Sequence, residues 1–563
     1  MVWRLYARRA AATGMLTATL ASVFITTGCR TTTDDVHRWG RTKQGPGKLI
    51  AVLTHDKYPI DLRVESAMTL VRMKPRNGKR VGITWADNPE CVGLLEALSN
   101  LPAEDRKEIV SKVVPQLVAE IRKPPPQAQA GQPAPADTSY PYKDAAYALL
   151  TYEDKDLLGD DKLRAEIKAA LAEWALADFA NRLDNTTQMS GMEQVLRTLG
   201  APGVKELPKL MVPGAKRISN MASLVAELGD AETKLAASSA LVKIAKEIES
   251  DRWKKQKEAA VDAANKASGL TKVTKDQLAG QLEAYQEEEL LRTFSSMKEV
   301  GGKPVVDYLL EYASREDKEG KLEKRRATAL AALAGHLDKD RPEQIEGVMK
   351  LASAPDTSNT IRSVALQRIG EMPRKLVIDK LYDLFKADDW KLRWVAADLA
   401  LRMSDQSQLD EFMTKLARND KGMSISEPAL YGVRMGELKG SQKGEELADK
   451  YLGTGYAPSV RLSALAYYSK YGTKDQLGKV TPYEQDSTKV PSCKADDCEW
   501  KCEVPVGDKG DKTETKDVSN IGDFVRYCVK PSMEKRTEAD KKKEEEERKK
   551  QEAAKKQAED NKE

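Results

Sequence analysis

Apolar and small residues return to the same helical face in a series of similar segments between residues 321 and 471. Each segment begins with an arginine, has an alanine three positions after it, and has an apolar or tyrosine residue seven positions after it. The last two positions are four residues apart, so they lie on one face of an α-helix. We therefore predict amphipathic helices with the alanine on the buried side. The four pairs are Arg326 and Ala329, Arg362 and Ala365, Arg393 and Ala396, and Arg461 and Ala464.

These segments recur with a regular period. A degenerate copy with Pro428 in the arginine position fills the widest gap, and the successive spacings are then 36, 31, 35 and 33 residues. The same offsets surround Arg63 and, with lysine in place of arginine, Lys234. A period of this length is typical of stacked two-helix repeats, in which each unit buries its apolar face against its neighbours. The pattern predicts a mostly α protein built as an α-solenoid.

The repeated segments resemble the HEAT-like repeat family, in which an aspartate in the turn precedes an arginine and an alanine in the second helix. The best-matching copies place Asp356 before Arg362 and Asp389 before Arg393. The resemblance implies structural roles: the alanines let helices approach closely, and the arginines bond carboxylates and carbonyl groups between units. The spacing would also fit tetratricopeptide repeats, but their aromatic and Leu-Gly positions are not found in register.

Composition agrees with a helical array. The 563 residues are too many for one compact core, and the apolar 40% includes only six phenylalanines. Leucine, alanine and valine must therefore build the core, which suits helix packing better than a β-sandwich. Lysine and arginine, 92 together, nearly balance 88 aspartates and glutamates. The net charge of +4 provides no general attraction for nucleic acid, so nucleic-acid binding is not expected.

The first 28 residues are predicted to be an export signal, because three arginines precede an uncharged apolar stretch. The stretch ends at Gly28 and Cys29, where the sequence resembles the lipobox of bacterial lipoproteins, with Thr26 in the usual leucine position. The resemblance implies that Cys29 is the acylated first residue of the mature protein. Arg30, in place of the aspartate that signals retention in the inner membrane, favours the outer membrane, facing the periplasm. An ordinary signal with an incidental cysteine and a twin-arginine signal are the alternatives.

Composition shifts divide the chain into segments. The dense prolines of residues 123–142 predict an extended linker. The rise in charge over residues 249–295 predicts exposed helices inserted between repeats. A coiled-coil contact of these helices with a partner is the alternative. The predicted order is signal peptide 1–28, polar tether 29–46, N-terminal HEAT-like helices 47–122, Pro-rich linker 123–142, helical repeats 143–248, charged helical insert 249–295, HEAT-like array 296–471, Cys-rich β cap 472–532 and charged tail 533–563.

Four cysteines cluster near the C-terminal end, namely Cys493, Cys498, Cys502 and Cys528. In an exported protein an even local set predicts two disulfides, which can pair in three ways. Residues 500–506 and 524–529 alternate like strands, which favours Cys502 with Cys528 across a ladder and Cys493 with Cys498 locally. We interpret this β element as a cap on the last repeat. A four-cysteine zinc site is the alternative, although no two of these cysteines are separated by two residues, as they are in the usual C-x2-C knuckle.

The sequence contains no recognisable catalytic motif. The three histidines, His37, His55 and His336, lie outside any nucleophile or metal motif, and no phosphate-binding loop is found. No enzyme activity, cofactor or metal is therefore expected. We predict a non-enzymatic envelope lipoprotein that acts as a scaffold for other envelope proteins and contacts the bilayer through Cys29. The alternative is a carbohydrate- or metal-binding envelope protein that acts through the cysteine module.

Overall fold

The computed structural model describes residues 31–550 apart from 75–81, 84–92, 128–134, 153–155, 185–189, 270–272, 355–356, 417–422, 440, 492–498, 507–511 and scattered positions after 537. The predicted signal peptide 1–28, Cys29, Asp356, Cys493 and Cys498 therefore lie outside the described residues. The chain divides into two compact units, with the boundary between Gly203 and Val204. The fold class is confirmed: the described chain is mostly α-helical, with a small disulfide-linked β module near the C-terminal end.

The first unit consists of helices. Their bounds are α1 Thr33–Trp39, α2 Gly45–Thr54, α3 Ile60–Arg72, α4 Leu94–Ser99, α5 Ala103–Ile121, α6 Tyr140–Thr151, α7 Asp161–Ala177, α8 Phe179–Asp184 and α9 Met192–Leu199, with α10 Ala201–Val204 at the boundary. The odd-numbered helices form a row, because α3 packs on both α1 and α5, and α7 packs on both α5 and α9. Neighbours in the row are thus close in the sequence.

The second unit begins with α11 Leu207–Leu210, α12 Ile218–Leu228, α13 Ala231–Ile248, α14 Asp251–Ala267, α15 Lys275–Val300, α16 Lys303–Ala313, α17 Glu323–Ala332, α18 Pro342–Ser353, α19 Asn359–Gly370 and α20 Arg374–Leu384. It continues with α21 Trp390–Met403, α22 Leu409–Leu416, α23 Ser426–Lys439, α24 Ser441–Tyr451, α25 Pro458–Tyr471 and α26 Leu477–Val480. The last elements are the strands β1 Lys501–Val506 and β2 Lys512–Asp517, the helix α27 Ile521–Phe524, a π-helical turn Val525–Val529 and the helix α28 Lys530–Glu534.

The helices of the second unit pack in two rows that follow the order of the chain. One row runs through α15, α17, α19, α21, α23 and α25, each in contact with the next, and the other runs through α16, α18, α20 and α22. Consecutive helices such as α18 and α19, or α20 and α21, join the rows. Each helix therefore buries its apolar side mainly against helices that are near to it in the sequence.

Side-chain caps explain where several helices begin. The carboxylate of Asp230 accepts from the Thr233 N–H at the start of α13, and the hydroxyl of Ser250 accepts from the Trp253 N–H at the start of α14. Such caps satisfy N–H groups that have no partner inside the helix. The core between the rows includes edge-to-face aromatic pairs with ring centres 5.5–6.0 Å apart. These join Tyr382, Phe385, Phe412 and Tyr431 in one series.

Two segments differ from the sequence prediction. Residues 33–39, predicted as polar tether, form α1, which packs on α2 and α3 and buries Val36 completely. A seven-residue helix with one buried apolar residue leaves almost no periodic pattern. Residues 524–529, predicted as a strand, are helical, and β1 pairs instead with β2 in an antiparallel hairpin. A short apolar run cannot be assigned to strand or helix from its pattern alone.

Helices α23 and α25 approach so closely that a glycine is required between them. A Cβ atom added to Gly432 would lie 2.4 Å from the backbone nitrogen of Tyr467 and 2.7 Å from the carbonyl carbon of Ala466. These are backbone atoms, so they cannot turn aside as a flexible side chain would. The helix backbones must therefore separate if this glycine is replaced.

Gly432→Ala is expected to lower the free energy of unfolding by about 1–3 kcal/mol, because the added methyl group overpacks the contact. Gly280→Ala is the matched control, since Gly280 lies within α15 with open space around it. There alanine should stabilise the helix by about 0.5–1 kcal/mol. Thermal unfolding and amide exchange in α23 and α25 measure both effects. Equal changes in unfolding free energy in the two variants would contradict the close approach of α23 and α25.

Candidate functional site

The repeat arginines share one helical position and one kind of contact. Each is the fourth residue of its helix: Arg63 in α3, Arg326 in α17, Arg362 in α19, Arg393 in α21 and Arg461 in α25. Each guanidinium donates to a backbone carbonyl at or just beyond the end of the preceding helix, with N···O distances of 2.6–3.2 Å. The accepting carbonyls belong to Leu53, Ala313, Ala354, Ala387 and Leu452. A cation at this place offsets the negative end of the helix dipole.

Several of these arginines also bond a carboxylate at the start of the next helix in the row. Arg63 Nη2 lies 3.1 Å from Asp105 Oδ2 in α5, and Arg362 Nη1 lies 2.6 Å from Oδ2 of Asp389, the residue that caps α21. Carboxylates are favoured at helix N-termini, so both ends of the contact agree with the helix dipoles. We call this bridge from helix end through guanidinium to carboxylate an arginine clamp.

The clamp of Arg393 is fully buried. Glu427 accepts from Arg393 Nε at 3.0 Å and from Nη2 at 2.9 Å, and both side chains are at most 1% exposed. The N–H of Ser424 also donates to this carboxylate, at 2.9 Å. Burial raises the pKa of Glu427, and the bonds from Arg393, Ser424 and Tyr431 offset only part of the rise. Removing either partner would leave a buried charge without its counter-charge.

The clamp of Arg461 holds the C-terminal module to α25, because its guanidinium bonds Asp486 as well as the Leu452 carbonyl. Burial acts to raise the pKa of Asp486, but the bonds from Thr488 and Arg461 outweigh burial and lower it. The folded-state pKa therefore lies below the ordinary value of about 3.9. The resulting stabilisation is complete at neutral pH and is lost as the pH falls through the folded value.

A second buried polar cluster lies in the first unit around Trp174. Lys143 Nζ donates to the Ser190 carbonyl at 2.6 Å, and Arg182 Nη2 lies 2.9 Å from Asp137 Oδ2. The Arg182 guanidinium is centred 4.5 Å from the centre of the Trp174 ring, which is a cation–π contact. Lys143 and Arg182 are both buried, so the cluster is structural. It fixes the end of the predicted Pro-rich linker, which contains Asp137, to the helical body.

Helices α14 and α15 form an antiparallel pair in the region predicted as a charged helical insert. In α14 only Trp253 and Val261 are buried, and residues 275–289 of α15 include no buried side chain. The C-terminal part of α15, from Leu290, buries one face, which packs among α12, α13 and α17. We call α14 and residues 275–289 of α15 the helical arm. Its base is held by the core and its distal part is exposed.

A cleft of ≈ 440 Å³ opens between the two helices of the arm. Its floor is apolar and small, with Ala260, Val261, Ala264 and Ala284, and Tyr285 stands beside it with 43% of its surface exposed. Charged and amide groups form the rim, including Lys257, Asn265, Gln281 and Glu288. Lys257 Nζ lies 4.8 Å from the centre of the Tyr285 ring and 2.8 Å from Glu289 Oε1, which fixes one end of the cleft.

The C-terminal module joins its hairpin to helical elements through a disulfide between Cys502 and Cys528. This is the pairing that the sequence favours, but Cys528 lies in the π-helical turn and not on a second strand. The Trp500 indole donates to the Met423 and Pro491 carbonyls, and α28 packs on α25. The module thus covers the last helix of the row. A zinc site that needs all four cysteines as thiolates is incompatible with this disulfide.

The alanines of the predicted repeat segments all lie in the core. These alanines, at positions 329, 365, 396 and 464, are all fully buried. The carboxylate partners were not identified from the sequence, because they follow the arginines at variable separations of 25 to 42 residues. In a chain with 88 acidic residues, such a signal has no specificity. The cleft was also missed, since it depends on how two helices face each other.

Among the described residues, no three His, Cys, Asp or Glu side chains come together in a way that would hold a metal ion. No helix in the same part of the chain is both long and apolar enough to cross a bilayer. No model of a known protein family matches the chain, and no match was found among curated proteins.

Arg393→Met and Glu427→Met are each expected to cost about 3–5 kcal/mol, because each leaves one buried charge unpaired. The double variant should cost clearly less than the sum, since an apolar pair replaces the ion pair. Arg292→Met is the control: Arg292 and Glu288 form an exposed pair, and its loss should change stability by less than about 0.5 kcal/mol. Denaturant unfolding of the four proteins measures the coupling. Additive costs would contradict the clamp.

Cys502→Ser with Cys528→Ser is expected to loosen the C-terminal module without unfolding the row. The bridge spans 26 residues, and closing such a loop stabilises by roughly 3–4 kcal/mol in the chain-entropy model. Amide exchange should quicken in β1 and β2 and stay unchanged in α19 and α21. A reducing agent should reproduce the effect in the natural sequence and do nothing further to the variant. Unchanged exchange in the hairpin would show that packing alone holds it.

Proposed function

We propose that the protein is a non-enzymatic scaffold of the cell envelope that binds other proteins through its helical arm. The observation that carries the proposal is the open cleft between α14 and α15, where apolar floor and exposed Tyr285 stand outside the core. Apolar clefts lined by a few polar groups are typical binding sites, and exposed tyrosines are frequent in protein interfaces. In this proposal the arm is the element that contacts the partner protein.

The partner best suited to the cleft is an amphipathic helix of another envelope protein. Two antiparallel helices with a small-residue floor leave the place that a third helix occupies in a helical bundle, and docking a helix into such a groove is a common recognition mode. The rim offers both signs of charge, with Lys257 near one end and Glu288 among the lining residues. We therefore expect a partner helix with an apolar stripe flanked by both acidic and basic residues.

The two rows of helices are proposed to form a HEAT-like solenoid that supports the arm. Support comes from the recurrence of the arginine at the fourth helical position and from contacts that join each helix to the next in its row. The buried part of α15 continues directly into the arm, so the row holds the base of the arm in a fixed direction. Its role would be presentation of a binding surface without any chemical turnover.

The site of action is proposed to be the outer membrane, on the periplasmic side, with acylated Cys29 as the anchor. The support is the sequence around Gly28 and Cys29 together with Arg30. A disulfide in the C-terminal module agrees with an oxidising compartment outside the cytosol. Several acyl chains on one residue would hold the protein at the bilayer without any membrane-spanning helix. No cofactor or nucleic acid is included in the proposal.

Ala264→Arg is expected to fill the cleft and to lower capture of partner proteins by about tenfold, which corresponds to ~1.4 kcal/mol of binding free energy. The matched control is Ala263→Arg, because Ala263 is exposed on α14 but does not line the cleft. Both changes place a good helix former on an exposed helix, so the arm should stay folded. The measurement is affinity capture from crosslinked envelopes followed by quantitative mass spectrometry.

Loss of the same proteins from both variants would argue against the cleft as the contact site. The proposal as a whole fails if the natural sequence enriches nothing beyond an unrelated lipoprotein used as control. Circular dichroism of the two variants verifies that the arm remains helical. A captured protein should then lose binding when its own amphipathic helix is interrupted by proline, which breaks helices.

A further inference from the structure

We propose that the first unit lies directly against the bilayer and that the connection between α1 and α2 faces anionic phospholipid headgroups. This inference rests on the lipid anchor at Cys29 proposed above. Its own basis is different: the folded body begins almost immediately after the anchor, and the surface that begins there is basic. We call residues 36–48 the basic face.

The distance from the anchor to the folded body is limited by covalent geometry. Thr32 is the N-cap of α1, and its backbone N–H donates to Asp35 Oδ2 at 3.0 Å while its hydroxyl accepts from the Asp35 N–H at 3.4 Å. Cys29 precedes Thr32 by three residues. At most ~3.6 Å per extended residue, these span no more than about 11 Å. An acylated Cys29 at the membrane surface therefore holds the start of α1 within about 11 Å of the bilayer.

Helix α1 is part of the body and cannot act as a flexible extension. Val36 is fully buried, and α1 packs on both α2 and α3. On its exposed side His37 Nε2 lies 2.8 Å from Glu65 Oε1 in α3. Because α1 is fixed to its neighbours, the anchor restrains the whole first unit and not merely a loose segment.

The basic face has the charge that an anionic membrane surface attracts. The sequence contains no acidic residue between Asp35 and Asp56, whereas Arg38, Arg41, Lys43 and Lys48 all fall in this interval. All four side chains are exposed, and Arg38 is paired with Asp35 at 2.6 Å. Basic residues close to a bilayer are drawn to anionic headgroups over about a Debye length, which is about 8 Å at physiological ionic strength.

An aromatic residue with a cation above it completes the face. The ring of Trp39 is half-buried at the end of α1, and Lys48 Nζ lies 5.4 Å from its centre. Tryptophan is enriched at membrane interfaces because its ring is apolar while its indole N–H is polar. Asp34 and Asp35 at the start of α1 offset two of the four positive charges, so the surface keeps a net charge of +2 (4 − 2), while Glu65 is bonded by His37 and Arg72. A bilayer is thus the occupant that both the short reach and the charge favour.

The experiment uses the acylated mature chain in vesicles of phosphatidylethanolamine and phosphatidylglycerol. A water-soluble lysine-acylating reagent is applied briefly, and mass spectrometry gives the labelling of Lys48 relative to Lys168, an exposed residue of α7. The comparison protein carries Cys29→Ala, lacks the signal segment and is mixed with the same vesicles. Labelling of Lys48 relative to Lys168 should be at least about threefold lower in the anchored protein, because headgroups cover the basic face.

Two variants separate the effect of reach from the effect of charge. A flexible insert of about twelve Gly and Ser residues after Arg30 lengthens the reach and should return Lys48 labelling most of the way to the unanchored level. Arg38→Glu with Arg41→Glu removes the attraction and should raise Lys48 labelling while the protein still floats with the vesicles. If Lys48 stayed as weakly labelled in the insertion variant as in the natural sequence, the role of the short reach would be overturned. If it stayed so in the double Glu variant, the role of the basic charge would be overturned.

Failure of the anchor and failure of this inference give different results. If intact mass shows no acyl chains on Cys29, or if the natural sequence does not float with the vesicles, the proposed anchor is wrong. If Cys29 is acylated and the protein floats, but Lys48 is labelled as fast as in the Cys29→Ala protein, the anchor stands and the membrane contact of the basic face is overturned.

Discussion

The packing of the helices in rows depends most on the repeated arginine, whose guanidinium group joins the end of one helix to the start of another. A helix end leaves carbonyl groups without partners, and a buried arginine needs acceptors for its five N–H donors. At Arg362 and Arg393 one side chain serves both ends of the contact, because its terminal N–H groups bond a carbonyl of the preceding connection and a carboxylate of the next helix in the row. Lysine, with a single point charge, would not bridge two such acceptors in fixed geometry.

The period of the sequence and the position of each arginine were sufficient to predict a mostly α-helical fold. They could not identify the acids that complete the clamps, since Asp389 and Glu427 follow their arginines after connections of different length. The assignment of residues 524–529 as a strand was wrong for a different reason. That run is too short to show a period, and in the fold it is joined to β1 through Cys528 and packs on α25.

The arm illustrates what composition can and cannot predict. A high density of charge between residues 249 and 295 indicated exposed helices, and the helices α14 and α15 are indeed exposed over most of this range. The cleft arises only from the way Ala264 on one helix and Ala284 on the other face a common space. Neither residue is unusual within its own helix. A site of this kind is a property of the helix pair, so a linear pattern cannot contain it.

The two rows of the second unit have a mechanical consequence. Each helix touches its neighbours in the row and few others, and each clamp spans a single joint. Where stacked units touch only their neighbours, small rotations at successive joints add up to a change of curvature. A body of this construction is compliant along its length while each joint stays stiff. For the scaffold proposed above, such compliance would let the protein stay bound to a partner when the distance between them changes.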